Sequence, residues 1–318
     1  MTAPTNTATT LTTKGIREDL EETIYRVAPE KTPFTSAIGT VKAEQTSHEW
    51  QTESLDTPSH TNAQLEGDDV GTLDAETAAA RIGNICQIFR KTGGVSRTDE
   101  VVKKAGRKSE MNRQKVLKGI ALRTDMEKRF LGNYASNAES GATPRRAGGL
   151  NAFLTTNVSN GAGGSNGGFG SGVVAAATPG TSRAFTEALV KNVLATAFGN
   201  GATPSLCFVG GTHKQQFSAF TGIASIRADV ANKKQATIYA GADVYVSDFG
   251  AISIVPHPYG MGADALFVDP DMAAVATLDG VKTEALAKSG DSEKFIMTAE
   301  KTLVCRNEKA HAVIRALS

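Results

Sequence analysis

The sequence predicts an α+β fold with an all-β tail, and three patterns carry that expectation. From about Arg107 to Tyr134, Leu122, Met126, Phe130 and Tyr134 recur at i+4 steps, flanked by Leu117, Ile120 and Leu131. That stripe belongs to a long helix packed along one side. From Leu206 onward, short apolar runs bounded by turn residues alternate with helical stretches. The chain closes on KFIMTAEKTLVCR and HAVIRAL, two strand patterns either side of Asn307-Glu308-Lys309. No internal repeat interrupts this order.

The elements follow in chain order. Residues 1–14 are Thr-rich and polar and read as a mobile arm. Residues 15–28 read as a helix, with Ile16, Leu20, Ile24 and Val27 on one face and Pro29 ending it. Its acids lie early and Arg26 late, as the helix dipole favours. Thr32-Pro33-Phe34 reads as a turn into an extended stretch at Ile38-Gly39. Residues 41–80 carry nine acids and one base, a net of −8. HEWQTESL alternates and predicts a strand, returned by a second around Arg81–Arg90. The middle is too poor in apolar residues to build its own core, so it needs a partner surface to be ordered.

Residues 81–129 reverse the sign, with fourteen bases and five acids, a net of +9. At ~1.5 Å per residue the helix over 107–134 reaches roughly 40 Å. The Gly/Ser/Asn-rich segment 139–182 reads as a surface loop with no fixed core. Ser182 then caps a helix over 183–198, with Phe185, Leu189, Val193 and Ala197 on one face. LCFV at 206–209 is a strand, and Thr212 caps a helix running to Phe220. DVYVSD and ISIVP are strands around Phe249-Gly250, and ALFVD is another.

Composition excludes several classes. The 318 residues suffice for one large domain or two ordinary ones. Lys+Arg is 34 and Asp+Glu is 33, so no net field draws the chain to nucleic acid or anionic lipid. Apolar runs are too short to span a bilayer, and the N-terminus has no apolar core of a secretory signal. Cys86, Cys207 and Cys305 stand singly, which fits a reducing compartment without disulfides. The histidines at 48, 60, 213, 257 and 311 never fall at metal-ligand spacing. The expectation is a soluble intracellular protein with no cofactor and no metal.

Short motifs add no catalytic set. Val209-Gly210-Gly211-Thr212-His213-Lys214 follows a strand and opens a helix, but matches neither phosphate-binding pattern. Asp248-Phe249-Gly250 lacks the rest of a kinase signature and reads as a turn. His257 between Pro256 and Pro258 has no nucleophile or acid beside it in sequence and reads as a rigid loop. Cys86, in the alternation Ile85-Cys86-Gln87-Ile88-Phe89, reads as a packed small hydrophobe. Asn157-Val158-Ser159 has no meaning as a glycosylation acceptor without a signal peptide. The basic helix has no interleaved aromatics to hold nucleic acid, and its charge is better matched by the acidic segment before it.

GIREDLEETIYRVAPEKTPFTSAIG, HEWQTESL, RIGNICQIFRKTGGVSRT and the terminal AKSGDSEKF with VCRNEKAHAVIRAL resemble the major capsid proteins of tailed bacteriophages. The likeness covers both ends and the middle, while 139–182 takes no part in it. It implies the Johnson fold: an N-terminal arm over 1–40, an extended loop over 41–90, and a peripheral domain over 91–182 with its spine helix. An axial domain would span 183–280, and 281–318 would return to the peripheral sheet. The resemblance implies a non-enzymatic subunit forming hexamers and pentamers of an icosahedral shell around double-stranded DNA, without binding that DNA specifically. It implies scaffolding, portal and decoration proteins as partners, and no membrane. No long scaffolding region precedes the arm, which implies a separate scaffold or none. The virion, assembled in the host cytoplasm, would be its location. A bacterial nanocompartment shell of the same fold, or an α+β enzyme with an unseen site, are the alternative readings.

The paired imbalance of charge predicts where subunits meet. Glu49, Glu53 and Asp56 of the acidic loop are candidates for contact with Arg90, Arg107 and Arg113 of a neighbour's basic region. Trp50, the one tryptophan, is either an apolar anchor in that contact or a residue packed within its own subunit.

Overall fold

The computed structural model describes residues 28–318 apart from 68, 70, 72, 74–76, 107, 221–243, 260 and 289. The helix expected over 15–28, except its last position, and the candidate Arg107 lie outside the described residues.

The described chain opens with α1 (Pro33–Ala37) and β1 (Gly39–Lys42). Pro33 sits in the first helical turn, where its missing N–H costs nothing, so the expected turn is a short helix. β2 (Ser47–Thr52) and β3 (Ala80–Ile85) pair antiparallel, with Trp50 opposite Ile82. This is the two-stranded excursion that the alternation of HEWQT predicts. The described residues from 53 to 79 carry neither helix nor strand.

β4 (Gln87–Ser96), α2 (Arg97–Val101) and α3 (Glu110–Leu131) follow. The 22 residues of α3 span roughly 33 Å. Its start is held twice: the Ser109 hydroxyl accepts from Asn112 N, and the Glu100 carboxylate accepts from Glu110 N and Met111 N. A carboxylate at these free N–H groups also meets the positive end of the helix dipole. The helix stops at Gly132, before Tyr134, which the i+4 stripe had included. Tyr134 instead lies under the Arg129 guanidinium, 5.0 Å from the ring centroid.

The segment 139–182 corrects the sequence reading. It holds α4 (Leu150–Phe153), β5 (Val158–Ser159), β6 (Gly168–Gly170) and β7 (Val173–Ala175). Leu150, Ala152, Phe153, Leu154 and Val174 are buried in the main core. Several of its glycines, Gly149 and Gly161 among them, serve close backbone contact, while Gly141, Gly163 and Gly172 stand in open space at positive φ. A Cβ at Gly149 would overlap the carbonyl of Gly132, and one at Gly161 the carbonyl of Thr181.

α5 (Glu187–Gly199) starts after Thr186, not at Ser182, and buries Val190, Val193, Leu194 and Ala197. β8 (Leu206–Val209) leads into α6 (Gly211–Ser218), whose N-cap is Gly210 rather than Thr212. β9 (Val244–Ser247), β10 (Gly250–Pro256) and β11 (Ala265–Val268) stand where strands were expected. The final strands are β12 (Ala273–Leu286), β13 (Ser292–Cys305) and β14 (Ala312–Ile314). β12 escaped the sequence reading because its register shifts between Thr277 and Lys282, around Gly280, which breaks the alternation.

Among the described residues, the strands form a four-stranded sheet, β1-β12-β13-β4, a six-stranded sheet, β5-β14-β11-β8-β10-β9, and the two-stranded pairs β2-β3 and β6-β7. β13 and β14 are not a hairpin. A 3-10 turn at Glu308–Ala310 carries the chain from one sheet to the other. The division expected at 280 therefore falls inside β12, and β14 lies in the sheet of β8 to β11. One core packs α3, α4 and the four-stranded sheet around Phe89, Leu122, Phe130, Phe153 and Phe295. A second packs α5 and α6 on the six-stranded sheet around Val190, Phe217 and Phe267. Asn151 and Asn160 accept from Arg315, and Glu308 accepts from Thr155 N and Thr156 N, tying 147–160 to the end of the chain.

Candidate assembly surfaces

The acidic hairpin is exposed along most of its length. Leu55, Leu65 and Leu73 are 96%, 80% and 80% exposed, so this segment has no core to itself, as its composition predicts. Every residue from Glu53 to Gly67 is exposed.

The candidate contact residues are not brought together within one subunit. Glu49 pairs with Arg81 across the hairpin. Trp50 is half-buried, with its ring 6.1 Å from that of Phe153, so it packs within its own subunit. Asp56 accepts from Thr77 Oγ1 at 2.7 Å. Arg113 pairs with Glu110 one turn earlier at 2.8 Å. Glu53 and Arg90 face solvent.

Arg90 lies in a groove that sequence reasoning did not anticipate. Gln87, Ile88, Phe89 and Arg90 line it on one side, and Asp125, Lys128, Arg129, Tyr134 and Pro144 on the other, enclosing about 650 Å³. Successive strand residues point to opposite faces, so a groove lined by four in a row follows the outer edge of β4. Among the described residues, β4 pairs only with β13. Such an edge presents unpaired backbone groups to a partner, and Arg90 and Lys91 guard it from indiscriminate pairing. Arg129 is fixed in place: Nε donates to Ala147 O at 2.6 Å and Nη2 to Ala135 O at 2.7 Å. Burial, with the nearby Arg146 charge, lowers its pKa to about 10, so it stays cationic at neutral pH. Lys91 is matched by Asp125 at 2.6 Å. The groove is cationic and partly apolar, complementary in both respects to the hairpin loop.

Two buried polar nodes join distant parts of the subunit. At the first, Glu127 of α3 accepts from His257 Nε2 at 2.9 Å, Phe34 N at 2.7 Å and Thr35 N at 2.8 Å. The rigid-loop reading of His257 is thus incomplete, because its partner lies 130 positions away. At the second, Arg315 is fully buried and donates to Asn151 Oδ1, Asn151 O, Leu154 O and Asn160 Oδ1. Asn151 Nδ2 in turn donates to Asp264 at 2.7 Å. A charged residue at 315, inside the apolar alternation of HAVIRAL, was the signal available in the sequence. Nearby, Asn157 Nδ2 donates to Lys309 O and His311 O, and Glu308 accepts from Thr155 N and Thr156 N.

The three cysteines are buried, free thiols. Cys86 is buried and desolvation raises its thiol to about 11, while Cys207 and Cys305 are raised further still. Among the described residues, no three His, Cys, Asp or Glu side chains group as metal ligands. No helix among them is long and apolar enough to cross a membrane.

The chain is similar in structure to chains of two solved capsids. The chain matches one in the capsid of cyanophage A-1(L) with a TM-score of 0.66 at 12% identity, covering 98% of this chain and 99% of that one. It matches one in the capsid of a native GTA particle at 0.60 and 11%, covering 97% and 98%. At such identities the likeness establishes the fold, the α+β Johnson fold. The chain belongs to the SU10 major capsid protein family, whose model matches residues 3–318. It is a structural protein and not an enzyme. A relative, the major capsid protein of Escherichia phage Phieco32, is 32% identical over 109 residues. That match spans 34% of this chain and 31% of the relative.

Proposed function

We propose that this chain is the main shell subunit of a tailed phage, forming hexamers and pentamers of an icosahedral capsid around double-stranded DNA. The observation that carries this reading is a family match over 3–318 together with a projecting acidic hairpin that has no core of its own. The hairpin loop of one subunit seats on the cationic region of the next, with Glu53, Asp56 and Glu66 facing Arg90, Lys128 and Arg129. Repeated by symmetry, this is a heterologous contact that closes into rings. The arm, extended loop, peripheral and axial parts keep the roles that the family resemblance gives them. Assembly takes place in the host cytoplasm, and scaffolding, portal and decoration proteins are the partners of the growing and finished shell. The near-neutral charge supports enclosure of DNA without a tight grip, since few bases are left to release counterions.

Electron micrographs of the purified full chain test the reading. Closed shells of uniform size are expected, and free subunits should bind duplex DNA no more tightly than the micromolar range. A soluble monomer that never assembles, alone or with the phage's other head proteins, would contradict it.

A further inference from the structure

We propose that Glu127 is a latch that holds α1 against the body of the subunit, and that α1 is released only when this one carboxylate is removed or protonated. The inference does not depend on the shell reading, because it concerns contacts within one chain.

α1 has five residues, too few to be stable alone. Its N-cap Thr32 makes no side-chain hydrogen bond. The N–H groups of Phe34 and Thr35 go instead to the two oxygens of Glu127, 93 and 92 positions away. A remote carboxylate thus performs the capping that a neighbouring Ser or Asp usually performs, and its charge suits the positive helix end. Phe34 is fully buried and meets Phe208 edge-on at 5.6 Å, so the same turn carries an apolar anchor.

The third donor to Glu127 is His257, and both side chains are fully buried. His257 Nδ1 lies 2.9 Å from Tyr259 O and 3.2 Å from Tyr259 N. A neutral ring with its proton on Nε2 accepts from Tyr259 N. A doubly protonated ring donates to Tyr259 O. In both forms Nε2–H still donates to Glu127, so a second proton on the imidazole does not open the latch.

Among the described residues, the other ionisable groups at the node are Tyr259, whose hydroxyl donates to Pro29 O, and Glu30, which acts on Tyr259. α1 itself presents backbone donors and Phe34. Burial alone would raise the Glu127 carboxyl, but the donors from His257, Thr35 and Phe34 outweigh it and hold it below 4.5. A carboxyl depressed on folding contributes stability that is complete above its unfolded value. That stability is lost as pH falls through the lower folded value. The latch therefore stays closed through neutral and mildly acid pH.

Hydrogen exchange of the full chain, read by mass spectrometry and corrected for intrinsic rates, tests this. Glu127→Gln should raise exchange in 33–38 at least tenfold and leave β11 (265–268) unchanged, because an amide nitrogen faces a backbone N–H it cannot accept from. His257→Gln keeps a donor and should raise it less. Wild-type protection of 33–38 should hold flat through mildly acid pH and fall only where the depressed Glu127 carboxyl takes up a proton. Unchanged exchange at α1 in Glu127→Gln would overturn the proposal, and so would equal loosening of β11. If Glu127→Gln does not fold, the wild-type pH series decides alone. Loss of protection between about pH 7 and 5.5, where an ordinary histidine titrates, overturns the latch, and a flat profile there supports it.

Discussion

Arg315→Met should leave little folded subunit, with a loss of about 3–5 kcal/mol. The guanidinium is fully buried and donates to Asn151 Oδ1 at 2.7 Å, Asn160 Oδ1 at 3.0 Å and Leu154 O at 3.1 Å, with Asn151 O as a further acceptor. Methionine fills much of the volume and satisfies none of these acceptors. Each stranded carbonyl is charged its desolvation, and Asp264 loses the nearby positive charge that opposes the burial of its carboxyl. Since whole domains are stable by only about 5–15 kcal/mol, the loss is a large fraction of the total. Arg315→Lys should fare little better, because an ammonium cannot serve acceptors arranged for a planar fork. Urea unfolding of the unassembled subunit measures this. A midpoint for Arg315→Met close to wild type would show that the four acceptors find other partners.

Reversal of the loop acids should abolish assembly while sparing the fold. The triple variant Glu53→Lys, Asp56→Lys and Glu66→Lys changes residues that are exposed, so its circular dichroism should match wild type. Glu49 is left intact because it pairs with Arg81 inside the hairpin. A single exposed ion pair contributes about 0–1 kcal/mol. A shell repeats the contact at every subunit, and three reversals turn each attraction into repulsion. Sedimentation should show free subunits where wild type gives shells. Adding Arg90→Glu and Lys128→Glu to the triple variant should restore part of the yield, since the charges are then exchanged rather than mismatched. Normal shells from the triple variant would remove the acidic loop from the assembly contact.

The sequence reading and the structure agree where local pattern decides the outcome. The i+4 stripe from Leu122 marked α3, and the alternation in HEWQT marked β2. They diverge where a distant residue decides it. Gly149 and Gly161 look like flexibility in a composition count, but their role depends on the carbonyls of Gly132 and Thr181 lying against them. Ser182 and Thr212 are good caps in isolation, yet the caps are Thr186 and Gly210, and the helices they open pack their apolar faces on the six-stranded sheet. The two strands expected around 307–309 are present, but no sequence pattern states which sheet a strand joins, and β13 and β14 lie in different sheets. The assembly surface was legible as a sign change, −8 followed by +9, but not as a groove. Arg90, Lys128 and Arg129 meet only when β4 and the end of α3 are packed side by side. Arg113, chosen on charge alone, is matched within its own helix by Glu110.

The most direct measurement is a reconstruction of the assembled shell at side-chain resolution, examined at the outer edge of β4. Residues 53–66 of one subunit should lie in the groove bounded by Arg90, Lys128 and Arg129 of its neighbour, with Leu55 or Leu65 covered. A map in which that loop stays in solvent, or in which the groove beside β4 is empty, would contradict it.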